Sequence, residues 1–255
     1  MSVTWSGWGQ GLAVVVGATG GIGRALHGRL VHEWAGGLGQ QGDAVRPDDG
    51  RAVIALSRHS TPALDVLDEA SVQAAAAHVA ERAGMLQQPV RLVVDATGFL
   101  HGEGMQPEKS WRQLDARHMA HAFAVNAIGP ALLMKHFLPL LPREGGSVFA
   151  TLSAKVGSIG DNRLGGWYSY RASKAALNQL VRTASVELAR GRPQAVCVAL
   201  HPGTVDTGLS ASFAKTGLTV HTPEQAAQNL CAVLRGLTPA DNGGFLDWQG
   251  QPLPW

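Results

Sequence analysis

The sequence has few cysteines, few charged residues and little net charge, and each shortage excludes a class of protein. Its two cysteines, Cys197 and Cys231, are too few for the disulfide framework of a small secreted domain. Both lie in apolar stretches, so we expect buried thiols. The net charge is +2 and no basic run is present, so we expect no nucleic-acid partner. The ten histidines form no zinc-binding pattern, and we expect no metal site.

Long apolar runs are also missing. The longest, residues 127–141, is interrupted by Lys135, His136 and Pro139, so we expect no membrane span. The N-terminus lacks the basic region and apolar core of a secretory signal. These absences predict a cytoplasmic protein without a membrane partner.

Tyrosine is scarce, whereas glycine is abundant. Only Tyr168 and Tyr170 are present, so any reaction that needs a phenol must use one of them. Glycine accounts for 32 of 255 residues without a three-residue period, which excludes a collagen-like chain. Apolar residues make up 45% and charged residues 16%, which excludes a highly charged disordered chain. A chain of this length can bury a large core.

Short apolar runs alternate with longer helical patterns along the chain. Runs without polar alternation indicate parallel strands buried on both faces of a sheet. Their alternation with helices predicts an α/β fold: a single doubly wound parallel sheet of the Rossmann type, flanked by helices, in one domain over residues 1–255. The predicted strands are 12–16, 52–56, 92–95, 147–152 and 195–200. The predicted helices are 22–34, 70–82 with Ser71 as a cap, 116–138, 173–190 and 223–235, and residues 35–50 are predicted to form a surface loop.

A glycine cluster separates the first predicted strand from the first predicted helix. Glycine lets the backbone approach a pyrophosphate, and the amides at a helix N-terminus face its negative charge. A strand–helix turn without a ligand also uses glycine, but the position after an apolar strand favours a nucleotide site. The spacing of Gly17, Gly21 and Gly23 differs from Gly-x-Gly-x-x-Gly. The segment reads Gly17-Ala18-Thr19-Gly20-Gly21-Ile22-Gly23.

Tyr170 and Lys174 are four residues apart, so they share one face of a helix. A phenol has an ordinary pKa near ~10, which is too high for ready proton exchange at neutral pH. A nearby ammonium group lowers that pKa by stabilising the phenolate. The pair therefore predicts an acid–base unit for interconverting a carbonyl and an alcohol.

Together these segments resemble the short-chain dehydrogenase/reductase family. Its glycine motif is Thr-Gly-x-x-x-Gly-Ile-Gly, and this chain has Val16 in the place of the threonine. The segment after Tyr170 continues as Arg-Ala-Ser-Lys-Ala-Ala-Leu-Asn, as in the family. Residues 156–170 and the segment from Phe245 to Trp248 resemble the C-factor and sniffer-type carbonyl reductases. The resemblance implies an NADP(H)-dependent oxidoreductase acting on a small-molecule carbonyl or alcohol; the alternative is a non-enzymatic nicotinamide-nucleotide-binding signalling or sensor protein on the same fold.

The resemblance also assigns catalytic roles. Tyr170 would exchange the proton, Lys174 would hold the nicotinamide ribose, and Asn126 would support a proton-relay water. The family adds a serine that binds the substrate oxygen, as the second residue of a Ser-Ser pair. This chain has Ser153 followed by Ala154, so we predict that Ser153 takes the role, with Ser158 as the alternative.

The end of the second strand, Leu56-Ser57-Arg58, indicates which cofactor is preferred. It lacks the acidic residue that an NAD-selective site usually has at this position. Arg58, helped by Arg24, would face the 2′-phosphate of NADP(H), so NADP(H) is the preferred cofactor and NAD(H) the alternative. The other interpretation is that both arginines are solvated surface charges. In the family the helices 116–138 and 173–190 pair between subunits, which implies a homodimer or homotetramer; monomers also occur in the family, and the sequence does not decide between them. For Asp65, which the resemblance places near the adenine ring, the alternative is an aspartate that only shapes its own turn. The other implied cofactor contacts are Gly17, Thr19, Gly20, Gly21, Ile22, Gly23, Asp65, Val66, Ala96, Thr97, Gly98, Pro202, Gly203, Val205 and Thr207, together with Tyr170 and Lys174.

Overall fold

The computed structural model describes residues 7–35, 52–102, 104–209 and 219–255. Apart from Ala35, the predicted surface loop 35–50 lies outside these residues. The described chain alternates strands and helices, as predicted. The strands are β1 (Leu12–Val16), β2 (Val53–Leu56), β3 (Val90–Asp95), β4 (Ser147–Leu152), β5 (Ala195–His201), β6 (Thr204–Val205), β7 (Val220–His221) and β8 (Phe245–Asp247). The α-helices are α1 (Gly21–Ala35), α2 (Glu69–Leu86), α3 (Ala116–Phe123), α4 (Gly129–Phe137), α5 (Tyr168–Gly191) and α6 (Pro223–Gly236).

Six strands form one parallel sheet in the order β2-β1-β3-β4-β5-β8. Two apolar layers cover it. Val14 and Val16 of β1 lie in one layer with side chains from α2, α4 and α5. Ala13 and Val15 lie in the other with side chains from α1 and α6. Burial on both faces explains the unbroken apolar runs and confirms the predicted doubly wound fold.

The start of α2 corrects the predicted cap. Asp68 is the N-cap residue, and its carboxylate accepts a hydrogen bond from the amide of Ala70 at 3.0 Å. Ser71 lies inside the helix, where its hydroxyl donates to the carbonyl oxygens of Asp65 and Asp68. The prediction of Ser71 as a cap was wrong because the aspartate three residues earlier satisfies the first-turn amides.

The predicted helix 116–138 is three elements rather than one. A π-helical turn, Ala124–Ile128, separates α3 from α4. Pro130 has no amide to donate and stands at the start of α4, directly after the π-helical turn. By length and composition alone, residues 116–140 could cross a membrane, as a core helix also could. Here the stretch packs against α5 and β3.

Helix α5 and strand β8 also differ from the predictions. α5 begins at Tyr168, five residues before the predicted start at Ser173. The three-residue strand β8 was not predicted, because it is too short for a periodic signal. It pairs with β5 through Ala199 and Phe245 and completes the sheet edge.

Candidate active site

The carboxyl ends of the central strands meet at one edge of the sheet. Val16 pairs with both Leu56 and Asp95, and Asp95 pairs in turn with Thr151 of β4. β2 lies on one side of β1, and β3 lies on the other, so the strand order reverses beside β1. Ligands bind at such a reversal, outside the carboxyl ends of the strands. The loops that follow these strands therefore form the candidate site.

The glycine turn after β1 is packed so closely that three of its glycines leave too little room for a Cβ atom. Gly17 has φ +81°, and a Cβ there would lie 3.0 Å from the carbonyl carbon of Ala96. A Cβ on Gly23 would lie 2.2 Å from the carbonyl oxygen of Gly17. A Cβ on Gly21 would lie 2.7 Å from Cγ2 of Thr207. The turn thus brings together predicted residues from three loops.

The outer part of this turn has the form of an anion site. Thr19 and Gly20 are exposed, and the amide of Gly20 donates to the carbonyl of Gly17 at 3.0 Å. Ile22 packs against the core, and Arg24 is exposed on the first turn of α1. That first turn contains no acidic residue, so no carboxylate of its own opposes the positive end of α1.

The end of β2 is tied to the glycine turn. The carbonyl of Leu56 accepts hydrogen bonds from the amides of Gly17 at 2.9 Å and Ala18 at 3.2 Å. Ser57 is buried, and Arg58 follows with an exposed side chain. Arg58 therefore stands two residues beyond Leu56, the buried strand end that the glycine turn contacts.

Asp65 and Val66 lie in the turn before α2. The Asp65 carboxylate accepts from the amide of Leu67 at 3.0 Å, so it shapes its own turn, as the alternative interpretation expected. Val66 is buried against Gly129 of α4, where a Cβ would lie 2.7 Å from Cβ of Val66. These contacts explain the local structure without assigning an adenine site.

A buried carboxylate orders the loop after β3. Asp95 is fully buried and accepts from the hydroxyl of Thr97 at 2.6 Å and from that of Thr151 at 2.7 Å. Burial raises the pKa of Asp95, and these hydrogen bonds act in the opposite direction. Ala96 and Gly98 flank Thr97, and a Cβ on Gly98 would lie 3.8 Å from Nζ of Lys174. The predicted loop 96–98 therefore lies between the glycine turn and α5.

Asn126 joins this loop to α5. It is fully buried in the π-helical turn, a feature that often marks functional sites. Its Oδ1 accepts from the amide of Phe99 at 2.8 Å, and its Nδ2 donates to the carbonyl of Phe99 at 2.8 Å. Nδ2 also donates to the hydroxyl of Ser173 at 3.0 Å. Asn126 thus positions the loop beside Lys174, and its water-relay role stays a prediction.

Tyr170 and Lys174 are buried side by side on α5. Nζ of Lys174 lies 6.0 Å from the Tyr170 ring centroid and donates to the carbonyl of Leu152 at 2.8 Å. Burial lowers the pKa of Lys174 to about 8 and raises the pKa of Tyr170 to about 12. The expectation of a lowered pKa for the phenol of Tyr170 is therefore wrong, because burial disfavours the phenolate.

Ala154 packs with the Tyr170 side chain, whereas the neighbouring Ser153 hydroxyl binds a side chain of α5. Ala154 packs with Leu100 and Tyr170 in one buried apolar cluster. The hydroxyl of Ser153 is buried and donates to Oδ1 of Asn178 at 2.7 Å. The catalytic role of Ser153 therefore stays a prediction.

The alternative serine, Ser158, is held by the C-terminal segment. Its hydroxyl donates to the carbonyl oxygen of Trp255 at 3.3 Å and accepts from the amide of Asp161 at 3.0 Å. Ser158 is buried, and its two contacts join the C-terminal residue to the loop that leads towards α5. This geometry gives Ser158 a structural role in the loop.

The segment after β5 completes the edge of the site. Pro202 is buried, and Gly203 has φ +82°, with a Cβ there lying 2.8 Å from the His221 ring. Val205 is in β6, which pairs with β7. Thr207 reaches the glycine turn, as described above. Of the predicted residues after β5, Thr207 therefore contacts the glycine turn, whereas Gly203 and Val205 lie against His221 of β7.

Sequence analysis missed one buried residue beside this site, Glu108. It is 2% exposed, and its carboxylate accepts hydrogen bonds from Ser169, next to Tyr170. Their separation of 61 positions in the sequence leaves no local pattern by which the contact could be predicted. A buried acid with a helix N-terminus as its partner becomes visible only in the folded chain.

Neither a metal nor a disulfide organises the described part of the chain. Within it, no group of three histidine, cysteine or acidic side chains could hold a metal ion. Cys197 and Cys231 are buried free thiols, as predicted.

Comparisons with known proteins agree with this geometry. The profile of the short chain dehydrogenase family matches residues 11–217. The chain belongs to the short-chain dehydrogenase/reductase family. It is 32% identical over 242 residues to a 1-hydroxy-2-glutathionyl-2-methyl-3-butene dehydrogenase of Rhodococcus sp., covering 95% of this chain and 98% of that protein. It is 38% identical over 143 residues to the C-signal protein of Myxococcus xanthus, covering 56% of this chain and 81% of that protein.

A solved structure extends the likeness to nearly the whole fold. The NADPH-bound carbonyl reductase from chicken fatty liver superposes with a TM-score of 0.77 at 27% identity, covering 96% of this chain and 98% of that one. Membership of the short-chain dehydrogenase/reductase family makes the chain an oxidoreductase and favours the enzyme over the sensor. The resemblance to the C-factor and carbonyl reductase branch is confirmed by these relatives.

Proposed function

We propose that the protein is an NADP(H)-dependent reductase that interconverts a carbonyl and an alcohol on a small molecule. The observation that carries the proposal is the burial of Tyr170 and Lys174 together, beside the loop that contacts the glycine turn. A proton-transferring phenol and a nucleotide cradle thus share one edge of the sheet. Orientation of two reactants at such a site supplies much of the rate.

The hydride for the carbonyl carbon comes from the bound nicotinamide. Tyr170 gives the carbonyl oxygen its proton, and its pKa of about 12 keeps the phenol protonated at neutral pH. Lys174 holds the ribose hydroxyls, since Nζ lies beside the Gly98 loop and is oriented by the carbonyl of Leu152. A protonated phenol is the form that can donate a proton when the carbonyl is reduced.

Two further side chains belong to the proposed machinery. Asn126 fixes the Phe99 backbone and orients Ser173 next to Lys174. Ser153 is our choice for the substrate oxygen, because it borders Ala154 at the end of β4 and its hydroxyl turns about a single bond. The wall around Tyr170 is apolar, which fits a carbonyl flanked by apolar groups. Its members are Leu100, Ala154, Val156 and Trp167.

The cofactor assignment rests on the end of β2. No acid follows Leu56, and the exposed Arg58 provides a planar cation for a 2′-phosphate. The NADPH-bound carbonyl reductase of similar fold supports the same choice. Arg58→Ala should weaken NADPH binding about tenfold and leave NADH binding unchanged. Arg143→Ala, at an exposed arginine at the opposite end of the sheet, is the control; a wild-type preference for NADH would contradict the assignment.

The enzyme and the sensor make different predictions. We expect purified protein to oxidise NADPH with at least one aldehyde, ketone or quinone in a substrate screen. Tight NADPH binding without oxidation of the cofactor by any of these compounds would favour the sensor.

We also propose that the protein acts in the cytoplasm as a homodimer or homotetramer. α4 and α5 line an apolar surface groove whose members include Met134, Leu138, Leu180 and Ala184. Family members pair through the corresponding helices. Light scattering at micromolar concentration tests this, and a monomer would contradict it.

A further inference from the structure

The helix that carries Tyr170 and Lys174 does not cap its own N-terminus. Its N-cap residue, Trp167, has a left-handed backbone with φ 53° and makes no side-chain capping hydrogen bond. The first amides of any α-helix lack partners within the helix. These amides belong to the turn that contains Tyr170, so their acceptors decide where the phenol stands.

Glu108 provides the missing acceptors from a distant loop. One carboxylate oxygen accepts from the amide of Ser169 at 3.2 Å, and the other accepts from the Ser169 hydroxyl. The backbone carbonyl of Glu108 accepts from the amide of Trp167 at 2.5 Å. A carboxylate at this position also faces the positive end of the helix dipole. Glu108 therefore takes the place of a capping side chain for α5, although it lies 61 residues before Ser169.

The same carboxylate contacts α3. Nδ1 of His118 lies 3.7 Å from Oε1 of Glu108, and the His118 side chain is also buried. His118 packs edge-on against Phe99, whose backbone is bound by Asn126. Glu108 thus connects three segments of the site, namely the loop before it, α3 and the start of α5.

We propose that Glu108 is a positioning residue that fixes the first turn of α5 and thereby the phenol of Tyr170. Tyr170 follows Ser169 directly, and its ring packs among apolar side chains that impose no directional bond. The direction of the phenol therefore depends on the helix start that Glu108 holds. The kinetic part of this proposal rests on the proposed reductase function, whereas the anchoring of α5 does not.

The test compares Glu108→Ala and Glu108→Gln with Asp68→Ala. Asp68 caps α2 with its carboxylate, as Glu108 does for α5, but Asp68 lies outside the candidate site. Asp68→Ala therefore shows the effect of losing a helix cap that does not position Tyr170. In Glu108→Ala, kcat should fall about tenfold, while Kd for NADPH stays within about twofold. Glu108→Gln keeps one acceptor oxygen and should fall between Glu108→Ala and the wild type. In Asp68→Ala, kcat should stay within about twofold of the wild type.

Hydrogen exchange provides the readout that needs no activity. In Glu108→Ala the amides of residues 168–172 should exchange about tenfold faster, while those of residues 180–190 keep the wild-type rate. Unchanged exchange, or unchanged kcat in an active enzyme, would overturn the proposal. An equal loss of kcat in Asp68→Ala would also overturn it, because a general loss of stability would then suffice.

Two outcomes need a second measurement. If Glu108→Ala does not fold, Ser169→Ala removes one of the two donors to the carboxylate, and a kcat equal to wild type would overturn the proposal. If the wild type has no reductase activity, the proposed function fails by itself. Faster exchange in Glu108→Ala would then still support the anchoring of α5, and unchanged exchange would overturn it.

Discussion

Gly23 and Gly28 lie five residues apart on α1, and the space around them differs completely. A Cβ on Gly23 would lie 2.2 Å from the backbone oxygen of Gly17, whereas a Cβ on Gly28 would meet nothing within 4 Å. The obstacle at Gly23 is backbone, so no side chain can turn away to relieve the contact. The same substitution to alanine should therefore have opposite effects at the two positions.

For Gly23→Ala we expect a loss of unfolding free energy of about 2–3 kcal/mol, the upper part of the range for an overpacked site. The first turn of α1 must also move away from Gly17, which separates the helix amides from the phosphate position. We expect NADPH binding to weaken at least about tenfold. For Gly28→Ala we expect a gain of about 0.5–1 kcal/mol, because alanine favours a helix interior over glycine.

Urea denaturation gives both free energies, and NADPH fluorescence gives both dissociation constants. The wild type and Gly28→Ala should bind NADPH equally well. If Gly23→Ala also binds NADPH with the wild-type dissociation constant, the glycine turn is not the phosphate site. If its stability is unchanged, the close approach to Gly17 does not constrain the turn.

Two further predictions concern the serine and the lysine. Ser153→Ala should lower kcat about tenfold, because a hydrogen bond to the substrate oxygen is lost, and adding Ala154→Ser to this variant should restore its activity. Ser158→Ala should leave kcat unchanged. A wild-type kcat in Ser153→Ala would show that this serine takes no part in the reaction. Burial lowers the pKa of Lys174 from 10.5 to about 8, so between these values the unfolded chain binds more protons than the folded one. The contribution of Lys174 to the unfolding free energy should therefore rise with pH across this window. Lys174→Met should abolish that rise in denaturation curves recorded at several pH values, and an identical pH dependence in the variant would show that the burial of the ammonium is not responsible.

The chemistry of the site could be predicted from the sequence because it depends on short spacings. Tyr170 and Lys174 share a helix face by their separation of four residues, and the glycine turn directly follows an apolar strand. The fold class followed in the same way, because unbroken apolar runs report burial on both faces of a sheet. Each of these signals depends only on residues that are close together in the sequence.

The features that could not be predicted depend on contacts between distant segments. α5 begins early because Glu108 caps it from another loop. The hydroxyl of Ser153 turns towards Asn178, and no sequence pattern specifies this partner. The pKa of Tyr170 is raised because tertiary packing removes water, an effect that outweighs the ammonium expected from spacing alone.

The presence of only two tyrosines makes the central claim directly testable. Tyr168 and Tyr170 lie in the same turn of α5, so Tyr168→Phe is a matched control for Tyr170→Phe. The decisive measurement is NADPH oxidation with an accepted carbonyl substrate, beside the NADPH dissociation constant of each variant. The account predicts that Tyr170→Phe loses about hundredfold or more in kcat with its NADPH affinity retained, while Tyr168→Phe stays near the wild type. Wild-type turnover in Tyr170→Phe would contradict the assignment of Tyr170 as the proton donor.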